Sequence, residues 1–327
     1  MTDRSVEFRP GTIDTRPVRR AAFAALVRPP AGTSTLLVSD ADTGELVEVA
    51  GLPHRPEPVP LALSWDGTHL LVRTGPKDQP DRDLVLLCLA TRERRVFDAD
   101  ADGLVQHAAL SPDGRSMAAL ADEDGVRVGV TDLATGARKP LWSAEGWRSD
   151  GGVAWSPDGT LLAVAFIDEE EDRTDTVVLS VADGSVLARY EGLVILGSPN
   201  GVWTGGRELL LVEEFPEETV PPLFLHDVTT GSVRRFDQVP SRGGGVSAVT
   251  AGRLVQHLPG GLFSCALDRS DPRPVLGLPP TYGVEFFDVS GTGAPGPATR
   301  SSSPPKSGTP ASGPPRHSPT TAQPQVR

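Results

Sequence analysis

Cysteine is scarce in this chain: Cys88 and Cys265 are the two thiols in 327 residues. Two cysteines cannot build a disulfide framework or a four-cysteine zinc site. Positive charge is also short, with 31 Lys+Arg against 43 Asp+Glu and a formal charge of −12. A general nucleic-acid binder needs a basic footprint that releases counterions from phosphates, so that class is excluded. No stretch approaches the roughly 20 apolar residues of a membrane-spanning helix. The apolar run Ala21–Val27 follows Arg19–Arg20, but it is short, starts late and lacks a small-residue cleavage site, so it does not read as a secretory signal. The expectation is a cytoplasmic monomer whose thiols are reduced and structural, each set in an apolar run, Leu84–Leu89 and Leu262–Leu267.

Catalytic signatures are missing too. There is no Gly-x-Ser-x-Gly elbow, no Gly-x-x-x-x-Gly-Lys phosphate cradle, no His-Glu-x-x-His and no calcium-loop spacing. The six histidines are scattered without a pair at ligand spacing. No cofactor is expected. No window carries a useful 3.6-residue apolar period, which excludes stacked helices.

Glycine (35) and proline (32) are abundant by contrast, and they punctuate a repeat. Ser111-Pro112-Asp113-Gly114 returns as Ser156-Pro157-Asp158-Gly159, with degenerate copies at Ser64-Trp65-Asp66-Gly67 and Trp203-Thr204-Gly205-Gly206. Successive intervals are 47, 45 and 47 residues, a period that marks an array of supersecondary units. Proline presets φ, aspartate accepts from the local backbone, and glycine takes the left-handed conformation, so the phrase is a hairpin turn between apolar strands. A second turn recurs out of phase at Asp42-Thr43-Gly44, Ala134-Thr135-Gly136, Ala182-Asp183-Gly184 and Thr229-Thr230-Gly231. Thr91-Arg92-Glu93 and Arg269-Ser270-Asp271 fill the same slot with poorer turn chemistry.

Each period therefore holds four short strands, a to d. Strand b of the fourth period, Leu161–Ile167, is apolar on both faces, so its sheet must lie between neighbouring sheets. Radial packing of such sheets is a β-propeller, and six second turns imply six blades over residues 15–290. Residues 1–14 read as an N-terminal extension. Blade one lacks an evident strand a. The run Tyr282–Val289 is expected to supply it and close the ring, with Ser5–Phe8 as the rival closing strand. Gly291–Arg327 holds nine prolines, five glycines, no acid and no aromatic, and is expected to be a disordered basic tail.

The Ser-Pro-Asp-Gly hairpins at this spacing resemble the TolB-like propeller repeat of the WD-repeat-like superfamily, a repeat also seen in prolyl oligopeptidase relatives. The resemblance spans most of Ala21–Val289, and the Gly-His and Trp-Asp dipeptides of WD-repeat propellers proper are missing. It implies a scaffold for protein–protein contact or, less often, a gating domain attached to a hydrolase.

Alternating strand direction puts the b–c and d–a connections on one face of the ring and the a–b and c–d turns on the other. The b–c loops are read as 75–83, 122–125, 168–175 and 213–218, with sixteen acidic residues against three basic ones. Their candidate partner-binding residues are Asp122, Glu123, Asp124, Asp168, Glu169, Glu170, Glu171, Asp172, Glu213, Glu214, Glu217 and Glu218. Trp147, read as lying in a d–a loop, is added as an apolar anchor. Bases gather at the opposite turns, among them Arg92, Arg94, Arg95, Arg115, Lys139, Arg207 and Arg234. A concentrated acidic field steers cationic partners, so the expected function is a non-catalytic scaffold that docks a basic protein or peptide. The alternative is a propeller hydrolase or lactonase with a divalent cation at the channel mouth, for which Asp102, His107 and Asp150 are the available ligands.

Overall fold

The computed structural model describes residues 6–8, 13–50, 52, 59–74, 83–98, 104–122, 125–168, 170–171, 173–195, 198–213, 222–236, 246–250, 253–258, 260–267, 270–279 and 281–291. Among them there are twenty-six strands and no α-helix. A first short strand, β1 (Val6–Glu7), precedes the blades. Blade one takes β2 (Ala21–Arg28), β3 (Thr35–Asp40) and β4 (Leu46–Glu48). Blade two is β5 (Val59–Leu63), β6 (His69–Thr74), β7 (Asp83–Cys88) and β8 (Arg94–Asp98). Blade three is β9 (Leu104–Leu110), β10 (Ser116–Asp122), β11 (Val126–Asp132) and β12 (Arg138–Ala144). Blade four is β13 (Trp147–Trp155), β14 (Leu161–Asp168), β15 (Arg173–Ser180) and β16 (Val186–Glu191). In blade five, β17 (Leu193–Ile195) and β18 (Trp203–Gly205) share the inner place beside β19 (Glu208–Glu213), followed by β20 (Leu223–Asp227) and β21 (Val233–Phe236). Blade six is β22 (Val246–Thr250), β23 (Arg253–Leu258), β24 (Gly261–Cys265) and β25 (Arg273–Gly277), and β26 (Gly283–Val289) ends the series. The expected six four-stranded antiparallel blades are present. The expected tail lies outside the described residues apart from Gly291.

Ring closure uses both ends of the chain. β26 is the missing inner strand of blade one, antiparallel to β2 from Val27↔Val284 to Phe23↔Val289. β1 adds to the outer edge of blade six, parallel to β25 with Val6 opposite Leu276. The segment after it acts as a strap: Asp14 bridges Val47 in parallel, Arg16 reaches Asp40 at 2.7 Å and Glu45 at 3.0 Å, and the Val18 amide donates to the Leu89 carbonyl at 3.1 Å. Blades six, one and two are thus tied by one stretch of backbone, which also covers edge groups that would otherwise pair with other chains.

The hairpin phrase has the geometry its chemistry requires. The Oδ1 atoms of Asp66, Asp113 and Asp158 accept from the hydroxyls of Ser64, Ser111 and Ser156 at 2.7, 2.7 and 2.6 Å. Each also accepts a backbone amide two residues on, at 3.0 Å in all three turns. Gly67, Gly114 and Gly159 sit at φ of +74°, +68° and +72°, where only glycine avoids a steric cost. At the second turn, Gly44, Gly136, Gly184 and Gly231 are likewise left-handed. The two slots with poorer turn chemistry hold the two non-glycine positive-φ residues among those described, Arg92 at +64° and Asp271 at +51°.

Packing lies between blades. β14 is buried on both faces at six consecutive residues, Leu161–Phe166. Successive apolar clusters join blades six and one, one and two, two and three, three and four, and four and five. Trp155 and Trp203 are 3% and 4% exposed. The Trp155 indole donates across the seam to the Ala109 carbonyl at 3.1 Å, and blade register is thereby fixed by a hydrogen bond as well as by shape.

Candidate interaction face

The b–c and d–a connections do share a face, but two of the acids expected there do not belong to its surface. Asp168 ends β14 and Asp175 lies inside β15, because the hairpin continues with Asp168↔Arg173 and Phe166↔Asp175 still paired. Asp175 is 0% exposed. It accepts from Arg173 Nε at 2.9 Å, from Arg189 Nε and Nη2 at 3.0 and 2.6 Å, and from the Gly192 amide at 3.0 Å. Burial opposes ionisation of this carboxyl, but Arg173, Arg189 and the amide outweigh it and hold it below the usual carboxylate range. Asp168 is buried as well, 3.6 Å from Arg189 Nη2. Two charges of the expected docking field therefore sit in an ion cluster that ties the outer strands of blade four.

Trp147 is not a loop residue either. It opens β13, opposite Asp168, instead of standing in a loop. Its ring stacks on Phe166 at 4.2 Å with an interplanar angle of 4°, approaches Trp142 at 5.7 Å, and lies 4.8 Å beneath the Arg189 guanidinium. The side chain is half-buried, a fixed aromatic plate. Asp122 is half-buried and accepts the Ser149 amide at 2.7 Å, which ties β10 to β13.

What remains at this surface is still acidic. Asp83, Glu145, Glu170, Glu171, Glu191 and Glu213 are exposed. Glu171 and Glu191 pair with Arg173. Asp83, Glu145, Glu170 and Glu213 have no cation partner among the described residues. Glu123, Asp124, Glu169, Asp172, Glu214, Glu217 and Glu218 lie outside the described residues.

On the turn face, bases link blades. Arg92 Nη1 donates to Ala50 O at 2.8 Å, Arg95 Nη2 to Ala134 O at 2.9 Å and Lys139 Nζ to Ala182 O at 2.8 Å, while Arg207 stands 3.8 Å from Asp158. Each bond joins neighbouring blades.

Sequence patterning alone passes over one residue on that side, Asp288. Near the end of β26, its carboxylate is 0% exposed. Oδ1 accepts from Ser198 Oγ at 2.6 Å, the Asn200 amide at 3.1 Å and the Val289 amide at 3.0 Å. Oδ2 accepts from the Leu63 amide at 2.8 Å and Asn200 Nδ2 at 3.2 Å. Asn200 also donates to Leu63 O at 2.6 Å and Val289 O at 3.0 Å, and the Val249 amide donates to Gly201 O at 2.5 Å. A turn from blade five therefore touches blades six, one and two, which requires it to cross the ring interior at the turn face. Burial pushes the Asp288 carboxyl up to about 7 against the pull of these donors. The available signal was the phrase Ser198-Pro199-Asn200-Gly201, a copy of the hairpin tetrapeptide standing out of period.

The alternative metal ligands are not gathered by the described residues. His107 is half-buried in mid-strand opposite Leu120, Asp150 belongs to β13 with its side chain outside the described residues, and Asp102 is outside them altogether. No three His, Cys, Asp or Glu side chains among the described residues stand close enough to hold a metal ion. No described helix is long and apolar enough to cross a membrane.

No protein-family model matches the sequence, and no curated protein matches it. Solved structures do. TolB from Acinetobacter baumannii superposes with a TM-score of 0.53 at 19% identity, over 83% of this chain and 66% of that one. The fold is a TolB-like six-bladed propeller. Hydrazine synthase from Kuenenia stuttgartiensis matches at 0.53 and 14% identity over 80% of both chains. A nidogen/laminin complex matches at 0.54 and 15% identity, over 82% of this chain and 98% of that one. This chain spans just under two thirds of that TolB. At such identities the likeness concerns architecture alone.

Proposed function

We propose that this propeller is a non-catalytic interaction module, cytoplasmic and monomeric, whose b–c and d–a face docks a basic protein or peptide. One observation carries the reading: Asp83, Glu145, Glu170 and Glu213 are exposed on that face without a cation partner among the described residues, while Arg92, Arg95 and Lys139 on the opposite face are engaged in joining blades. Unpaired carboxylates on one side give a directional field that raises the on-rate of a cationic partner and weakens with salt. Half-buried Trp147 offers an apolar plate beside Glu145 and Glu170.

The test uses the full chain and an arginine-rich peptide, with Kd measured at low and high salt. Glu170→Lys with Glu213→Lys should weaken capture and flatten its salt dependence. Unchanged binding would remove the proposal. Asp168 and Asp175 are unsuitable for this purpose, because reversing a buried charge perturbs folding. The hydrolase alternative makes a different forecast, retention of calcium or zinc by the purified protein, and metal analysis separates the two.

A further inference from the structure

Blades two and three enclose a cleft of about 910 Å³ at the turn face. That lies within the range of roughly 300–1,000 Å³ typical of small-molecule sites. Its apolar floor is Leu86, Leu110 and Leu133, its rim carries Arg94 and Arg115, and Cys88 opens into it. A second cavity of about 400 Å³ opens on the same side of blade three, over Val105, Ala119 and Ala121. Blade three turns Ala108, Ala119 and Ala121 toward blade two, whereas the next seam is filled by Leu120, Leu162 and Phe166. Ala119 and Ala121 leave room for the second cavity.

Two cations of the cleft have hydrogen-bonding capacity that the protein does not use. Arg92, Arg95, Lys139, Arg207 and Arg234 on the turn face all have partners within the protein. The Arg94 and Arg115 guanidiniums have none among the described residues, and both line this cleft. Each presents five N–H donors in a planar fork that matches a carboxylate. The acids of the lining differ. Asp66, Asp113 and Asp132 already accept hydroxyls or amides of their own turns, and Glu93 accepts the Thr91 hydroxyl. Their charge disfavours a multiply charged anion such as phosphate, and the leucine floor calls for an apolar body.

We infer that the cleft between blades two and three binds a small carboxylic acid with an apolar body, its carboxylate held by Arg94 and Arg115 and its body on Leu86, Leu110 and Leu133. This site is on the face opposite the docking surface and stands independently of it. Cys88 supplies the readout, being half-accessible at the cleft while Cys265 is 0% exposed. Alkylation of Cys88 by iodoacetamide in the full-length protein is followed with 3-phenylpropanoate, its amide or inorganic phosphate present. The acid should protect Cys88 at a concentration about tenfold or more below that needed by the amide, as charge-assisted pairing implies, and phosphate should not protect. Arg94→Ala with Arg115→Ala, both at exposed positions, should abolish protection without moving the melting temperature. Equal protection by the amide or by phosphate, protection that survives the double substitution, or no protection by the acid overturns the assignment.

Discussion

Replacing Asp288 by asparagine isolates the chemistry of the turn that crosses the ring. The substitution keeps the shape and exchanges one acceptor oxygen for an NH₂ group. Five donors face the carboxylate, three at Oδ1 and two at Oδ2. However the amide is oriented, at least two buried donors are left facing another donor, each costing about 1–3 kcal/mol. The pH dependence supplies the sharper measurement. With the carboxyl raised from 3.8 to about 7 in the folded protein, the folded state binds the proton more tightly than the unfolded one. Its contribution to stability is complete below the unfolded value, falls as pH rises and levels off above about 7. Between pH 8 and pH 5 the parent should gain about 3 kcal/mol at this group, two pH units of linkage. The asparagine variant gains nothing there. Urea unfolding followed by tryptophan fluorescence at the two pH values gives the difference, and contributions common to both proteins cancel. The destabilisation caused by Asp288→Asn should be larger at pH 5. A penalty that is the same at the two pH values would refute the reasoning, since it would mean that the donors outweigh burial and hold the group ionised throughout this range.

Two further outcomes test how the ring is held together. Deleting Tyr282–Ser290 removes β26 and with it the inner strand of blade one, and should abolish the cooperative thermal transition; a deletion variant that melts like the parent would exclude closure by this strand. Arg92→Gly relieves a left-handed arginine, worth about 1–2 kcal/mol, but loses guanidinium bonds to Ala50 O and Thr15 O that tie blade two to blade one and to the N-terminal strap. The two lost charge-assisted bonds should outweigh the relieved strain and lower the melting temperature by a few degrees, and a rise would show that the strain costs more than the bonds return.

The legible part of this fold is the part made by local chemistry. A serine, an aspartate and a glycine within four residues close a hairpin by themselves, so their recurrence at 45–47 residues announces the blades. Even the weak turns are visible in advance, since Arg92 and Asp271 stand where glycine belongs and carry the positive φ. Charge is read less well, because sign along a chain does not say which side of a strand a residue takes. Asp175 looks like one more member of the acidic run 168–175. The β14–β15 register turns it inward, and Arg173 together with Arg189, fourteen residues on in the next strand, makes that burial tolerable. Trp147 fails in the same manner, since its loop-like neighbours Glu145 and Gly146 hide the pairing with Asp168 that draws it into β13. Asp288 is the extreme case. Apart from the adjacent Val289 amide, its partners are 88 to 90 and 225 residues away, and one acid in the apolar run Phe286-Phe287-Asp288-Val289 carries no local signature. A residue whose partners are assembled from three blades becomes visible when the ring closes, and closure is what Asp288 is positioned to hold.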